Sequence, residues 1–232
     1  MASVAKQGTF EMQPTQTGHL PERRSAYQIC RYPATLIDVW HLRNGTRMTL
    51  RPVLPQDSGL LGTMIQGLSD ATRYNRFHGA VKALSAEALR HMTHVDYRNH
   101  VAFVVTAFNQ KQERVVADAR FVVDRSGESA EFALVVDDQW QRLGLGERAM
   151  QALAHAADRQ GLSWLHGSVL SANAPMLALM RHCEYFCAPD RHDESMVRVE
   201  RSPGAVPVAG KRAAWRKWPS KWISAWRNPT LN

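Results

Sequence analysis

One stretch of the sequence constrains the fold more than any other, because an apolar strand in it runs into a glycine-rich turn and a long helix. This stretch is 131–150, EFALVVDDQWQRLGLGERAM. The apolar run 131–136 predicts a strand. Apolar spacing over 144–160 predicts an amphipathic helix, which Gly161 would end. A strand, a turn and a helix in this order are typical of an α/β or α+β fold around a mixed sheet.

The start of that helix has the chemistry of a phosphate-binding loop. The first turn of a helix leaves about four backbone N–H groups unpaired and carries roughly half a positive charge. Gly144 and Gly146 have no Cβ atoms, so a pyrophosphate could approach these donors closely. A glycine-rich helix start without any ligand remains the alternative at this stage.

Three known phosphate-binding patterns can be compared with this loop. The lysine-containing Walker pattern is absent from the sequence. The dinucleotide pattern Gly-x-Gly-x-x-Ala is met by 144–149, but a polar turn separates it from the strand, and 166–170 lacks the acid that binds ribose. The third pattern, Gln/Arg-x-x-Gly-x-Gly/Ala, is met by Gln141-Arg-Leu-Gly-Leu-Gly146.

The remaining periodicity predicts a hairpin followed by alternating helices and strands. Asn44-Gly45 favours a type I′ turn between strands at 36–40 and 48–51. Helices are predicted over 56–68, 69–79, 85–92 and 173–183, the last with Asn173 as its N-cap, and strands over 101–105, 115–123, 165–170 and 196–199.

The positive charge of the chain lies outside its central segment. Segment 36–201 carries 19 basic and 19 acidic residues, whereas 202–232 carries six basic residues and no acid. The sequence therefore predicts a disordered segment at 1–33, a globular domain at 34–201 and a basic tail at 202–232. Three scattered cysteines, together with the absence of an apolar signal segment, predict a cytoplasmic location.

The phosphate-loop pattern resembles the acetyl-CoA loop of the GNAT family of N-acetyltransferases. Further stretches are similar to the GNAT domain of bacterial protein lysine acetyltransferases: Tyr32-Pro33, 44–46, 50–57, 68–69, 74–77 and 95–97. In those enzymes the domain is often fused to an acyl-CoA-synthetase-like region, of which no counterpart is expected here. The resemblance implies acetyl transfer from acetyl-CoA to an amine, with a protein lysine as the leading acceptor.

The resemblance also implies a fold and a set of binding residues. The fold is a mixed, mostly antiparallel central sheet that is splayed in a V and flanked by helices. Val135, Val136 and Asn173 would contact the pantetheine arm. The pyrophosphate would lie against the loop residues Gln141, Arg142, Leu143, Gly144, Leu145 and Gly146.

Glu131 is the candidate general base for this reaction. A lysine amine is almost wholly protonated at neutral pH, so a base must remove its proton before the nitrogen can attack. Strand alternation places Glu131 on the same face as Ala133 and Val135. The alternative is a glutamate at a strand end that forms an ion pair with Arg120 or Arg148.

Two departures from the family pattern keep further functions open. Met180 occupies the position at which many members have a tyrosine that acts as the general acid, and Tyr185 is expected in the core. Acetylation of a small amine and a non-catalytic acyl-CoA-binding or membrane-associated module therefore remain alternatives. No metal site is predicted, because the spacing of His91 and His94 lacks the pattern of zinc peptidases.

The basic tail contains four of the seven tryptophans, namely Trp215, Trp218, Trp222 and Trp226. Tryptophans beside basic residues are typical of a helix that lies on an anionic membrane surface. Residues 211–227 are therefore expected to contact a membrane at its inner face or a protein partner, although Pro219 interrupts a helix there. A tail without a partner and a tail that binds the domain's own groove stay open as well, and nucleic acid is the least expected partner.

Overall fold

The computed structural model describes residues 32–109 and 112–202. Within them, eight strands form one sheet in the order β1-β2-β3-β4-β5-β6-β8-β7. The strands are β1 Asp38–His41, β2 Arg47–Pro52, β3 His100–Asn109, β4 Gln112–Val123, β5 Ser129–Val136, β6 Trp164–Leu170, β7 Phe186–Pro189 and β8 Met196–Arg201. The helices are α1 Ser58–Gly67, α2 Asp70–Phe77, α3 Ala86–Thr93, α4 Leu145–Arg159 and α5 Ala174–His182.

The predicted terminal segments lie almost entirely outside the described residues. The segment predicted to be disordered, 1–33, is described only at Tyr32 and Pro33. The Tyr32 hydroxyl donates a hydrogen bond to the Pro52 carbonyl over 3.1 Å, and its ring meets Tyr97 edge to face. Of the tail, only Ser202 is described, so the four tail tryptophans lie outside.

The sheet is mixed and mostly antiparallel, which confirms the predicted fold. All neighbouring strands are antiparallel except β5 and β6, which run parallel. The parallel pairing covers three positions, from Ser129 opposite Trp164 to Glu131 opposite His166. Beyond these positions the two strands have no paired residues. We call the gap between 132–136 and 167–170 the β5–β6 wedge.

The two faces of the sheet are covered by different helices. Phe121, Phe132 and Leu153 belong to the core beneath α4 and α5, whereas Leu61 and Val135 belong to a second core beneath α1, α2 and α3. Strand alternation in β5 therefore separates the Phe132 face from the Glu131 and Val135 face, as the sequence predicts.

Side-chain caps explain where the helices begin. The Ser69 hydroxyl accepts a hydrogen bond from the Thr72 N–H at the start of α2, and the Asn173 side chain accepts from the Met176 N–H at the start of α5. Gly144 is the N-cap of α4. Each predicted helix is present, and its bounds differ from the prediction by one or two residues at each end.

Two local predictions are wrong. The hairpin loop is not a two-residue type I′ turn, because it extends from Leu42 to Thr46, and within it only Gly45 has a positive φ, of 81°. Strand β7 is absent from the sequence-based expectation, because its four residues, FCAP, are too short to show an alternating pattern.

Among the described helices, none is long and apolar enough to cross a membrane.

Candidate active site

The β5–β6 wedge opens into a cavity of about 490 Å³. At one end the cavity is bounded by the loop before α4, including Gly144 and Gly146. At the other end it is bounded by α2 and by the last residues of β4, including Asn75 and Val122. Glu131 lies at the closed end of the wedge, where β5 and β6 are still paired. One cavity therefore joins the glycine-rich loop to the candidate base.

The backbone of the loop is shaped for hydrogen-bond donation. Gly144 has φ 80°, a left-handed conformation that L side chains rarely adopt, and Arg142 has φ 61°. In the structure as described, no backbone N–H from Arg142 to Glu147 donates a hydrogen bond to a protein oxygen. These donors lie at the N-terminus of the 15-residue helix α4, where its dipole favours an anion.

Gly146 has a packing role that the sequence did not reveal. A Cβ atom at this position would lie 3.0 Å from Leu179 Cδ2 and 3.6 Å from Leu134 Cδ2. The missing side chain therefore lets α4 approach β5 and α5 closely, as well as keeping the loop open for a ligand. Gly144 differs, because no heavy atom lies within 4 Å of its would-be Cβ and its positive φ sets the requirement for glycine.

The remaining predicted loop residues have separate placements. The Gln141 Nε2 donates to the Val136 carbonyl over 3.1 Å, which ties the loop to the end of β5. Arg142 and Gln141 both line the cavity. Leu143 is an exposed side chain outside the lining, and Leu145 is buried in the core. The last two could therefore contribute backbone N–H groups to a ligand, with side chains directed elsewhere.

The predicted pantetheine residues border the wedge. Val135, Val136 and Asn173 line the cavity. Beyond Glu131, β5 has no strand partner on its β6 side, so backbone groups along that edge can pair with an extended ligand. Asn173 uses its Oδ1 as the N-cap of α5, and its Nδ2 makes no hydrogen bond in the described parts of the chain. The binding roles of these residues stay predictions.

Glu131 has the environment of a weakened acid. It is half-buried on β5, and burial raises the pKa of its carboxyl above the usual range. The positive charges of Arg198 and Arg76 partly offset this rise. A carboxylate with a raised pKa is a stronger base, so this position suits removal of a proton from an amine.

The ion-pair alternative for Glu131 is wrong in both of its forms. Arg120 instead forms a bidentate pair with the fully buried Asp118, with its Nε 3.0 Å from Asp118 Oδ2. Arg148 pairs with Asp38 over 2.8 Å and lies over the Trp40 ring. Glu131 is therefore left facing the cavity.

Met180, at the position of the general-acid tyrosine of many family members, is part of the core. Met180 is fully buried and does not line the cavity. Tyr185 is buried too, as predicted, with its ring edge-on to Phe132 at 5.3 Å between centroids. Burial raises the pKa of the Tyr185 hydroxyl. Neither residue is among those that line the cavity.

Helix α2 supplies cavity residues to which the sequence pattern assigns no role. Thr72, Asn75 and Arg76 line the cavity from this helix. The stretch 74–77 contributes to the family resemblance, but the 3.6-residue period of a short polar helix does not show which face meets a ligand. Arg76 is the most unusual of the three, because its guanidinium is buried.

Asp138 connects helix α2 to the loop before α4. Its carboxylate accepts hydrogen bonds from the Ser69 N–H and hydroxyl, each at 2.8 Å, and from the Thr72 hydroxyl at 2.6 Å. These bonds lower the pKa of Asp138, although partial burial opposes them. The charged Asp138 side chain therefore links the N-terminus of α2 to the segment that precedes the glycine-rich loop.

The histidines of this region, His91, His94 and His100, all contact other protein groups. His91 faces Glu87 on the exposed side of α3, and His100 contacts the Arg120 guanidinium at 3.2 Å. Burial, together with Arg120, lowers the pKa of His100 to about 4. Over residues 32–109 and 112–202, no group of three or more His, Cys, Asp or Glu side chains could hold a metal ion.

Comparison with known families identifies the class of protein that this fold and site define. The Acetyltransferase (GNAT) domain family matches residues 47–185. The chain therefore belongs to the GNAT family of acetyltransferases, whose members take their acetyl group from acetyl-CoA.

Similar proteins include enzymes named acetyltransferases. The chain is 28% identical to acetyltransferase PA5475 of Pseudomonas aeruginosa over 67% of this chain and 84% of that protein. It is 34% identical to acetyltransferase Pat of Mycolicibacterium smegmatis over 60% of this chain, and it spans 41% of Pat. The solved GNAT domain of S. lividans PAT has 25% identity and a TM-score of 0.66, with 74% of this chain and 99% of that one covered.

Replacement of Gly144 by alanine tests the loop geometry. A left-handed conformation costs an L residue about 1–2 kcal/mol, so Gly144→Ala is expected to shift the loop and raise the Kd of acetyl-CoA about tenfold. Calorimetric titration of the full chain measures this. Gly59→Ala is the matched control, because Gly59 has an ordinary helical φ and open space at its Cβ. Equal affinities for all three proteins would show that the loop does not bind the ligand.

Proposed function

We propose that this chain transfers the acetyl group of acetyl-CoA to a primary amine in a direct ternary complex, with a protein lysine as the leading acceptor class. The observation that supports this most strongly is the single cavity that contains the loop donors, the β5–β6 wedge and Glu131. In this cavity acetyl-CoA would lie with its phosphates at the start of α4 and its acyl end beside Glu131.

The residues around the cavity can carry out the steps of this reaction. Backbone donors at 142–146 would hold the pyrophosphate, and the free edge of β5 would pair with the pantetheine arm. Glu131 would take a proton from the amine, directly or through water, and its raised pKa suits that transfer. The amine nitrogen then attacks the thioester carbon, the carbon–sulfur bond breaks, and the sulfur leaves as a thiolate. The nitrogen loses its second proton to water as the amide forms, and this loss balances the proton that the thiolate gains.

In this proposal water protonates the leaving thiolate, although His78 also lines the cavity. Met180 is buried in the core. Among the described residues that line the cavity there is no tyrosine, lysine or cysteine. A thiolate is a far weaker base than an amine, so it is a good leaving group, and water can supply its proton at neutral pH.

A protein lysine leads among acceptors because the chain resembles the GNAT domains of Pat and PAT. A small amine is the second candidate, since the α2 end of the cavity is enclosed enough to hold one. An acyl-CoA-binding module without catalysis is the third, and the buried Met180 favours it. We expect cytoplasmic activity in all three cases.

Thiol release from acetyl-CoA, measured over a panel of proteins and small amines, tests the proposed function. We expect release to require an amine and to fall as the pH drops through the raised pKa of Glu131, because protonation removes the base. Glu131→Gln should lower kcat/KM by about 100-fold and abolish this pH-dependent limb.

Glu87→Gln is the control for that measurement, because Glu87 is an exposed residue of α3 outside the cavity. A Glu131→Gln enzyme with the wild-type rate and pH profile would exclude Glu131 as the base. Acetyl-CoA binding without thiol release for any acceptor would favour the non-catalytic module.

We also propose that residues 211–227 contact an anionic membrane surface, which would make the protein peripheral to the inner face of the membrane. The tryptophan spacing and the excess of basic residues support this. Co-sedimentation of the full chain with anionic and neutral vesicles tests it, with Trp215, Trp218, Trp222 and Trp226 changed to serine as the comparison. Equal sedimentation of both proteins with anionic vesicles would contradict the proposal.

A further inference from the structure

Arg76 is a buried cation in the wall of the cavity. It lies near the C-terminal end of α2, lines the cavity, and has a side chain that is 9% exposed. Its Nε is buried without a hydrogen-bond partner. Buried guanidinium donors are normally paired, so an unpaired one in a cavity wall indicates a missing acceptor.

The nearest carboxylate, Asp118, forms a long ion pair with Arg76 and leaves the Arg76 Nε without an acceptor. Both oxygens of Asp118 are already engaged by Arg120, through Nε and Nη2. The Arg76 Nη2 lies 3.7 Å from Asp118 Oδ2, which is beyond hydrogen-bond distance. Two guanidinium groups therefore share one carboxylate. His100, which contacts Arg120, adds no negative charge to this group.

Glu131 is the other carboxylate near Arg76, and it cannot balance the charge throughout the reaction. Its charge interacts with Arg76 while it is ionised. In the proposed reaction Glu131 takes a proton from the amine and becomes neutral. The cavity wall then holds an uncompensated positive charge, which is costly in a buried position.

The position of Arg76 indicates which reactant would supply a counter-charge. The donor thioester would extend from the loop before α4 to the closed end of the wedge at Glu131. The space left for the acceptor is therefore the α2 and β4 end of the cavity, lined by Asn75, Arg76 and Val122. An anion on the acceptor would meet Arg76 there, beside the amine that faces Glu131.

We propose that Arg76 binds a carboxylate of the acceptor, so that the acceptor is an amine with a carboxylate in the same molecule, a few carbons from the reacting nitrogen. This inference rests on the proposed acetyl transfer with Glu131 as the base, and it favours the small-amine acceptor over the protein lysine that the family resemblance places first. The acceptor subsite would then have Arg76 at one end, to bind the carboxylate, and Glu131 at the other end, to take the proton from the amine.

The test uses reaction products as probes, so that binding is measured without turnover. Acetamido acids with one to five carbons between nitrogen and carboxylate, from N-acetylglycine to 6-acetamidohexanoate, are titrated into the CoA-saturated full chain. Each acid is compared with its uncharged carboxamide. We expect at least one acid to bind about tenfold more tightly than its carboxamide, which is the effect of one charge-assisted hydrogen-bond pair.

Variants assign the preference to Arg76. Arg76→Gln should remove the preference for the acid, and Arg76→Lys should retain part of it, because a lysine keeps the charge but loses the planar fork. Arg90→Gln, on the exposed surface of α3, should behave like the wild type. If Arg76→Gln does not fold, the wild type and Arg76→Lys still decide the result.

Equal binding of every acid and its carboxamide by the wild type would overturn the inference. An unchanged preference for the acid in Arg76→Gln would overturn it too. It would also be overturned if Arg76→Gln changed the relative affinity for succinyl-CoA and acetyl-CoA and left the binding of the acids unchanged. Acid-selective binding that depends on Arg76, without thiol release from any acceptor, would support the subsite and contradict the proposed transferase activity.

Discussion

The separation of β5 from β6 after Glu131 is the feature on which the rest of the site depends. Three parallel residue pairs hold the strands together, and the next residues of both strands have no partner across the gap. Backbone groups that a continuous sheet would use are thereby available to a ligand. The same geometry places Glu131 at the closed end and the first turn of α4 at the open end, so the proposed base and the proposed donor site share one cavity.

Different helices border the wedge on the two faces of the sheet. In the proposed reaction helices α4 and α5 would form the donor side, where Gly146 lets α4 pack close to Leu134 and Leu179. Helix α2 would form the acceptor side on the opposite face, and Asp138 connects the N-terminus of α2 to the segment before the loop.

The sequence predicts the parts of this arrangement that depend on local pattern. The glycines at 144 and 146, the apolar strand before them and the N-cap Asn173 are read directly from spacing, and the family resemblance supplies the wedge. The buried pair of Asp118 and Arg120 is not predictable in this way, because it depends on contacts between strands. The same holds for the unpaired guanidinium of Arg76, since burial of a charge on a short polar helix is a tertiary property. Strand β7 is too short to predict.

A structure of the full chain crystallised with CoA would test the central claim most directly. The account predicts that the pantetheine arm lies between β5 and β6, with pyrophosphate oxygens about 3 Å from the backbone nitrogens of 142–146 and the sulfur close to Glu131. CoA bound outside the wedge, or a sulfur on the Phe132 face of β5 with no access to Glu131, would contradict it.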